Sequence, residues 1–151
     1  MDRRKKNTIV NIIVIMVITF VAILAMINLK DWVNREEGMR AMEQLGQKIL
    51  QLRKENGSVP SETYVKSISG EVEGFVRLGN LQYRGRWINP ECTADEVLAY
   101  TKRNYHSLLL CEGYIVLRLG GQVEWIDKKQ FETLLVRQQS PVEIQLTDKS
   151  P

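Results

Sequence analysis

From Ile9 to Leu29 the chain runs 21 residues without a charge, and only Asn11, Thr19 and Asn28 interrupt the apolar series. About 20 apolar residues let an α-helix cross a hydrocarbon core of roughly 30 Å. A soluble core helix of this length would carry a polar face, which this segment lacks. From Asp31 the pattern changes to a 3.6-residue period. Met39, Met42, Leu45, Ile49 and Leu52 recur at steps of three and four, with charged residues between them. No proline separates the two patterns, so they predict one long helix from Ile9 to about Glu55, lipid-facing in its first half and amphipathic in its second. Gly38 and Gly46 weaken it, each by up to about 1 kcal/mol relative to alanine. Asn56-Gly57 is a stop, because glycine accepts the left-handed conformation just past a helix end. Pro60 closes it.

After Pro60, Gly70, Gly74, Gly79 and Gly85 punctuate β-forming residues, which reads as short strands and turns. In "EVLAY" (Glu96 to Tyr100) the spacing of Thr93 and Glu96 fits a helix capping box, so the local signal is helical. Tyr114 to Leu119 is a strong strand former. Gly120-Gly121 can supply the positive φ angles of a two-residue hairpin. Gln122 to Ile126 alternates, with Val123 and Trp125 on one face and Gln122, Glu124 and Ile126 on the other. Asp127 is a natural N-cap, with Gln130 at the third helical position, for a short helix whose Phe131, Leu134 and Leu135 face the sheet. The segment from Ser140, with Pro141 and Pro151, reads as a loose tail.

Charge adds a direction. Arg3, Arg4, Lys5 and Lys6 precede the apolar run. The positive-inside rule keeps them in the cytoplasm and puts Lys30 onward outside it. The apolar run exceeds the roughly 7–15 residues of a cleaved signal peptide, and Ala22 and Ala25 are spaced A-x-x-A rather than A-x-A. An uncleaved anchor is the expectation. Without Asp2 and the four basic residues, Lys+Arg falls from 21 to 17 and Asp+Glu from 18 to 17. The outer part is therefore near neutral and lacks the basic footprint of a nucleic-acid binder.

A membrane-spanning helix that runs into an amphipathic one, then "ENGSVP", then a small antiparallel sheet, resembles the type IV pilins and the pseudopilins of type II secretion. "NGSVP" (Asn56 to Pro60) is similar to the N-G-x-Y-P turn that ends the long helix of major pseudopilins. "LAY…IVLRLGGQVEWIDKKQFETLL" resembles the closing segment of pilin-like proteins of planctomycete-type bacteria, which read L-A-Y-E, then V-L-F-x-D-G-H-V-E-W, then a short helix ending in L-L. Leu98, Ala99, Tyr100, Gly121, Val123, Glu124, Trp125, Phe131, Leu134 and Leu135 carry the match. Two features depart from the family. The prepilin start Gly-Phe-Thr-Leu-x-Glu is missing, since "RRKKNTIVNII" has no glycine and the span has no Asp or Glu. Gly120 and Gln122 stand where the family usually has Asp and His. The resemblance implies an α+β fold in which the long helix packs on a small antiparallel sheet with a short C-terminal helix. It also turns "EVLAY" from helix to strand.

The organisation expected is a basic cytoplasmic N-terminus (1–8), a transmembrane helix (9–29), an extracytoplasmic pilin-like domain (30–139) and a loose tail (140–151). The resemblance places the chain in a bacterial inner membrane, with the domain in the periplasm. It implies a structural or protein-interaction role in a secretion- or pilus-type assembly, with other pilin-like or secretion proteins and the membrane as partners. A signal-anchored ligand-binding or sensory domain is the alternative, and a pocket lined by Trp87 and Tyr83 would favour it. Catalysis is not expected. His106 stands alone, and nucleophilic catalysis needs a thiol or hydroxyl, a base and an orienting group together. The carboxylates of Glu124 and Asp127 are close in sequence, but Asp127 has a capping role. No metal site, calcium loop or cofactor motif is present in the sequence. In an oxidising compartment Cys92 and Cys111 are either a disulfide or two packed free thiols.

Overall fold

A computed structural model of the chain describes residues 3–89, 91–105 and 112–147. Helix α1 (Arg3–Asn56) is continuous through both sequence patterns. Gly57 ends it with φ 72°, and its N–H donates to Arg53 O at 2.9 Å, as the Asn-Gly pair predicts. The chain then forms α2 (Glu62–Ser69), β1 (Leu81–Tyr83), β2 (Val97–Arg103), β3 (Gly113–Arg118), β4 (Val123–Asp127), α3 (Lys128–Gln138) and α4 (Pro141–Thr147), with short 3₁₀ turns at Phe75–Leu78 and Gly85–Trp87. The four strands form one antiparallel sheet in the order β1-β2-β3-β4. Tyr83 pairs with Ala99, Tyr100 with Val116 and Ile115 with Trp125. This is an α+β fold.

The two halves of α1 have different surroundings. Ile15 is 63% and Met26 73% exposed, whereas Met42, Leu45 and Ile49 are fully buried. The second half lies on one face of the sheet. There Ala41, Met42, Leu45 and Ile49 join Leu98, Ile115 and Leu117, with Val65 and Ile68 from α2 closing the side. Met39 packs against the margin of this core. The stripe therefore serves the chain's own sheet, as its few heptads suggest.

Gly38 and Gly46 do more than weaken the helix. A β-carbon at Gly38 would stand 2.8 Å from Ile115 Cδ1, and one at Gly46 would stand 2.7 Å from Leu117 Cδ1. Their missing side chains let α1 approach β3 closely. Gly46→Leu is expected to destabilise the domain by about 1–3 kcal/mol through overpacking against fully buried Leu117, read as a lowered denaturation midpoint.

The second core lies on the opposite face of the sheet, where α3 covers Val97, Val116 and Ile126 with Phe131. Tyr100, Tyr114, Leu134 and Leu135 pack around it. Both faces are thus covered, which accounts for strands such as β3 with buried residues on each side.

Three expectations need correction. Residues 62–69 are helical rather than extended. Ser61 caps that helix by accepting from Tyr64 N–H at 3.4 Å, and Val65 and Ile68, three apart, face the core. The β3–β4 connection is a three-residue loop rather than a two-residue one. Arg118 N–H donates to Gln122 O, Gly121 N–H donates to Arg118 O, and only Gly121 has positive φ, at 90°. That is a type I turn followed by a glycine bulge. The tail expected to be loose contains α4. Ser140 Oγ accepts from Glu143 N–H at 3.2 Å, and the Glu143 side chain is buried. "EVLAY" is strand from Val97, in line with the resemblance and against its local capping signal.

Candidate functional site

The stretch with the strongest sequence signal, Leu117 to Asp127, is built from structural contacts. Gly121 needs its positive φ, and a β-carbon there would stand within van der Waals overlap of Leu50 Cδ1 on α1. Gly120 N–H donates to Ala94 O at 2.8 Å, so the turn is tied to the segment that leads into β2. Val123 and Trp125 pack toward the α1 core while Ile126 enters the α3 core, which matches the alternation of the sequence. Glu124 is held by Arg118, whose Nη1 also donates to Asp95 O at 2.7 Å. Asp127 caps α3 by accepting from Lys129 and Gln130 N–H at 3.1 and 3.2 Å. Glu124 and Asp127 therefore have separate duties and do not converge on a common point. Asp127→Ala should cost about 1 kcal/mol, measurable as a small fall in thermal midpoint with the fold retained.

Arg84 is the centre of the polar structure, and sequence reasoning missed it. Its side chain is only 5% exposed. Nε donates to Glu143 Oε1 at 2.6 Å and Nη2 to Glu143 Oε2 at 3.0 Å, a two-point grip on the carboxylate. Nη1 donates to Val97 O at 2.8 Å, Nη2 donates to Gln138 O at 3.1 Å, and Glu96 lies at 3.5 Å. Gln138 completes the set, with Oε1 accepting from Val97 N–H at 2.9 Å. One guanidinium thus joins the end of β1 to the start of β2, the end of α3 and α4. Burial works against its charge, but Glu143 and Glu96 outweigh that and hold its pKa above the ordinary guanidinium value. An arginine so fully engaged is a fold element rather than a reactive group.

The other nominated residues are dispersed. Cys92 is a half-buried free thiol whose Sγ accepts from Asn89 N–H at 3.3 Å. The other cysteine, Cys111, with which a disulfide is one of two alternatives, lies outside the described residues, as does His106. Tyr83 donates its hydroxyl to Pro60 O at 2.8 Å, and burial pushes its phenol pKa up. The Arg86 guanidinium sits 5.5 Å from the Trp87 ring centroid. Both aromatics are thus engaged within the chain. Arg3, Arg4, Lys5 and Lys6 lie in the first turns of α1, directly before the exposed apolar half. Among the described residues no three His, Cys, Asp or Glu side chains group as metal ligands.

One surface concavity adjoins the conspicuous stretch. An open groove of about 580 Å³ runs between β4 and α3, with Trp125 and Ile126 on one wall and Lys129, Thr133, Leu134 and Arg137 on the other. Comparison with protein-family profiles, curated proteins and solved structures finds no match for the chain. Among the described residues one helix is long and apolar enough to cross a membrane, and none of that helix's most apolar stretch is buried by the rest of the protein.

Proposed function

We propose that the chain is a single-pass, membrane-anchored protein of pilin-like architecture that works through protein contacts in a bacterial secretion- or pilus-type envelope assembly. The observation that carries this reading is the division of α1. Its first half presents bare apolar side chains from Ile9 to Leu29, and its second half is the backbone of a folded domain. Exposure of that much apolar surface is costly in water and favourable in lipid. The positive-inside rule then puts the N-terminus in the cytoplasm and the domain in the periplasm. The helix is continuous through the expected membrane boundary, so the domain's position is coupled to the bilayer without a flexible linker. Arg84 and Glu143 hold each other, Glu124 is held by Arg118 and Asp127 caps α3, which favours a contact role over catalysis. The missing prepilin start and the span without a carboxylate favour an accessory place in such an assembly over processing into a filament by the usual route.

Mild crosslinking in intact cells followed by purification of the full-length chain tests the reading. Recovery of pilin-like or secretion components is the expected result. Recovery of none of them, from cells in which the chain is folded and membrane-bound, would remove the assembly role.

A further inference from the structure

We infer that the free edge of β4 is a docking site for an extended, acidic peptide segment of a partner protein, which adds as a fifth strand beside the α3 groove. β4 is the last strand of the sheet. The Arg118–Gln122 hydrogen bond fixes the ladder phase, so Glu124 and Ile126 bond to β3 through their pairs with Val116 and Tyr114. Val123, Trp125 and Asp127 occupy the alternate positions, and their backbone N–H and C=O groups point off the open edge. Such a row is a template for strand addition, and proteins usually blunt it with proline, a bulge or a covering element. β4 contains no proline, and its pairing with β3 has no register shift.

The groove beside this edge supplies the selectivity. Lys129 and Arg137 lie two turns apart on α3, with Thr133 between them, and all three line the groove. Neither basic side chain is in an ion pair among the described residues. Arg118 and the Glu124 carboxylate also line the groove, and they hold each other. The uncompensated charge is therefore positive. Eight residues of helix rise about 12 Å. Four residues of strand rise about 13 Å. An added strand with acids at positions i and i+4 thus matches Lys129 and Arg137. Its residues i+1 and i+3 share a face with Val123 and Trp125, and they are the ones that hydrogen-bond to β4.

The probe is a capped, fluorescent Asp-Val-Thr-Val-Asp peptide, titrated against the full chain in a lipid nanodisc, with amide exchange read at Val123 and Trp125. Saturable binding that slows exchange at both amides is expected. Replacing both peptide aspartates with lysine, N-methylating both valines, or using the Lys129→Glu/Arg137→Glu chain should each weaken binding at least tenfold. Both substitutions are on the surface of α3, and an unchanged circular dichroism spectrum would verify that the variant is folded. Equal binding of the Asp and Lys peptides, or unchanged exchange at Val123 and Trp125, overturns the inference. Protection of these amides without peptide in a self-associated chain also overturns it, since the occupant is then a second copy. None of these readouts depends on the assembly role, so the two ideas fail separately.

Discussion

Arg84→Ala is expected to destabilise the domain by about 3–5 kcal/mol, because it takes the two-point guanidinium grip away from the buried Glu143 carboxylate. Glu143 is 2% exposed, so water cannot replace the two donors it loses. The carbonyls of Val97 and Gln138 lose donors as well. At several degrees of thermal midpoint per kcal/mol for a domain of this size, the midpoint should fall by on the order of 15 °C. Glu143→Ala should cost a similar amount, because the buried guanidinium then keeps only Glu96 at 3.5 Å and two carbonyls. The double replacement Arg84→Met/Glu143→Leu removes both charges and should recover much of the loss, because apolar replacement of a buried pair is often neutral or better. A double variant no more stable than Arg84→Ala would show that the carbonyl contacts, rather than the ion pair, carry the cost.

Phe131→Ala should have a loss of comparable size, about 3–5 kcal/mol, from lost burial and the cavity left behind. Phe131 is 1% exposed and is the centre of the α3 core. Its ring stacks on Tyr114 with centroids 4.1 Å apart and meets Tyr100 at 4.9 Å. Without it, the apolar contacts of α3 with the sheet fall back on the partly buried Leu134 and Leu135. Denaturant titration should show a lower midpoint, and amide protection should fall first in α3. Phe131→Leu keeps most of the volume and should cost markedly less. A loss below 1 kcal/mol for Phe131→Ala would mean that α3 is not a structural layer of the domain.

Much of this architecture is legible in the sequence where a pattern is long. The span and the Met39–Ile49 stripe set α1 over more than ten turns, and Asn56-Gly57 marks its end. The β3–β4 hairpin and the Asp127 cap follow from alternation and local capping chemistry. Short elements carry weaker patterns. Ser61 before α2 and Ser140-Pro141-Val142-Glu143 at α4 are capping signals, but the glycines after the first and the prolines around the second are stronger local signals for turns and loops. Thr93 and Glu96 show the converse, a capping pattern that tertiary pairing of Val97–Arg103 overrides.

The Arg84–Glu143 grip spans 59 positions and lacks any periodicity, so no local rule finds it. The close approach at Gly46 depends in the same way on which strand lies opposite. The open edge of β4 requires the strand order, which alternation alone does not supply.

Anchoring through α1 is the premise on which the functional account stands. Sodium carbonate extraction of membranes from cells that express the full-length chain tests it most directly. The account predicts that the intact chain stays in the membrane pellet at high pH and enters solution only with detergent. Release of the full-length chain into the carbonate supernatant would contradict it.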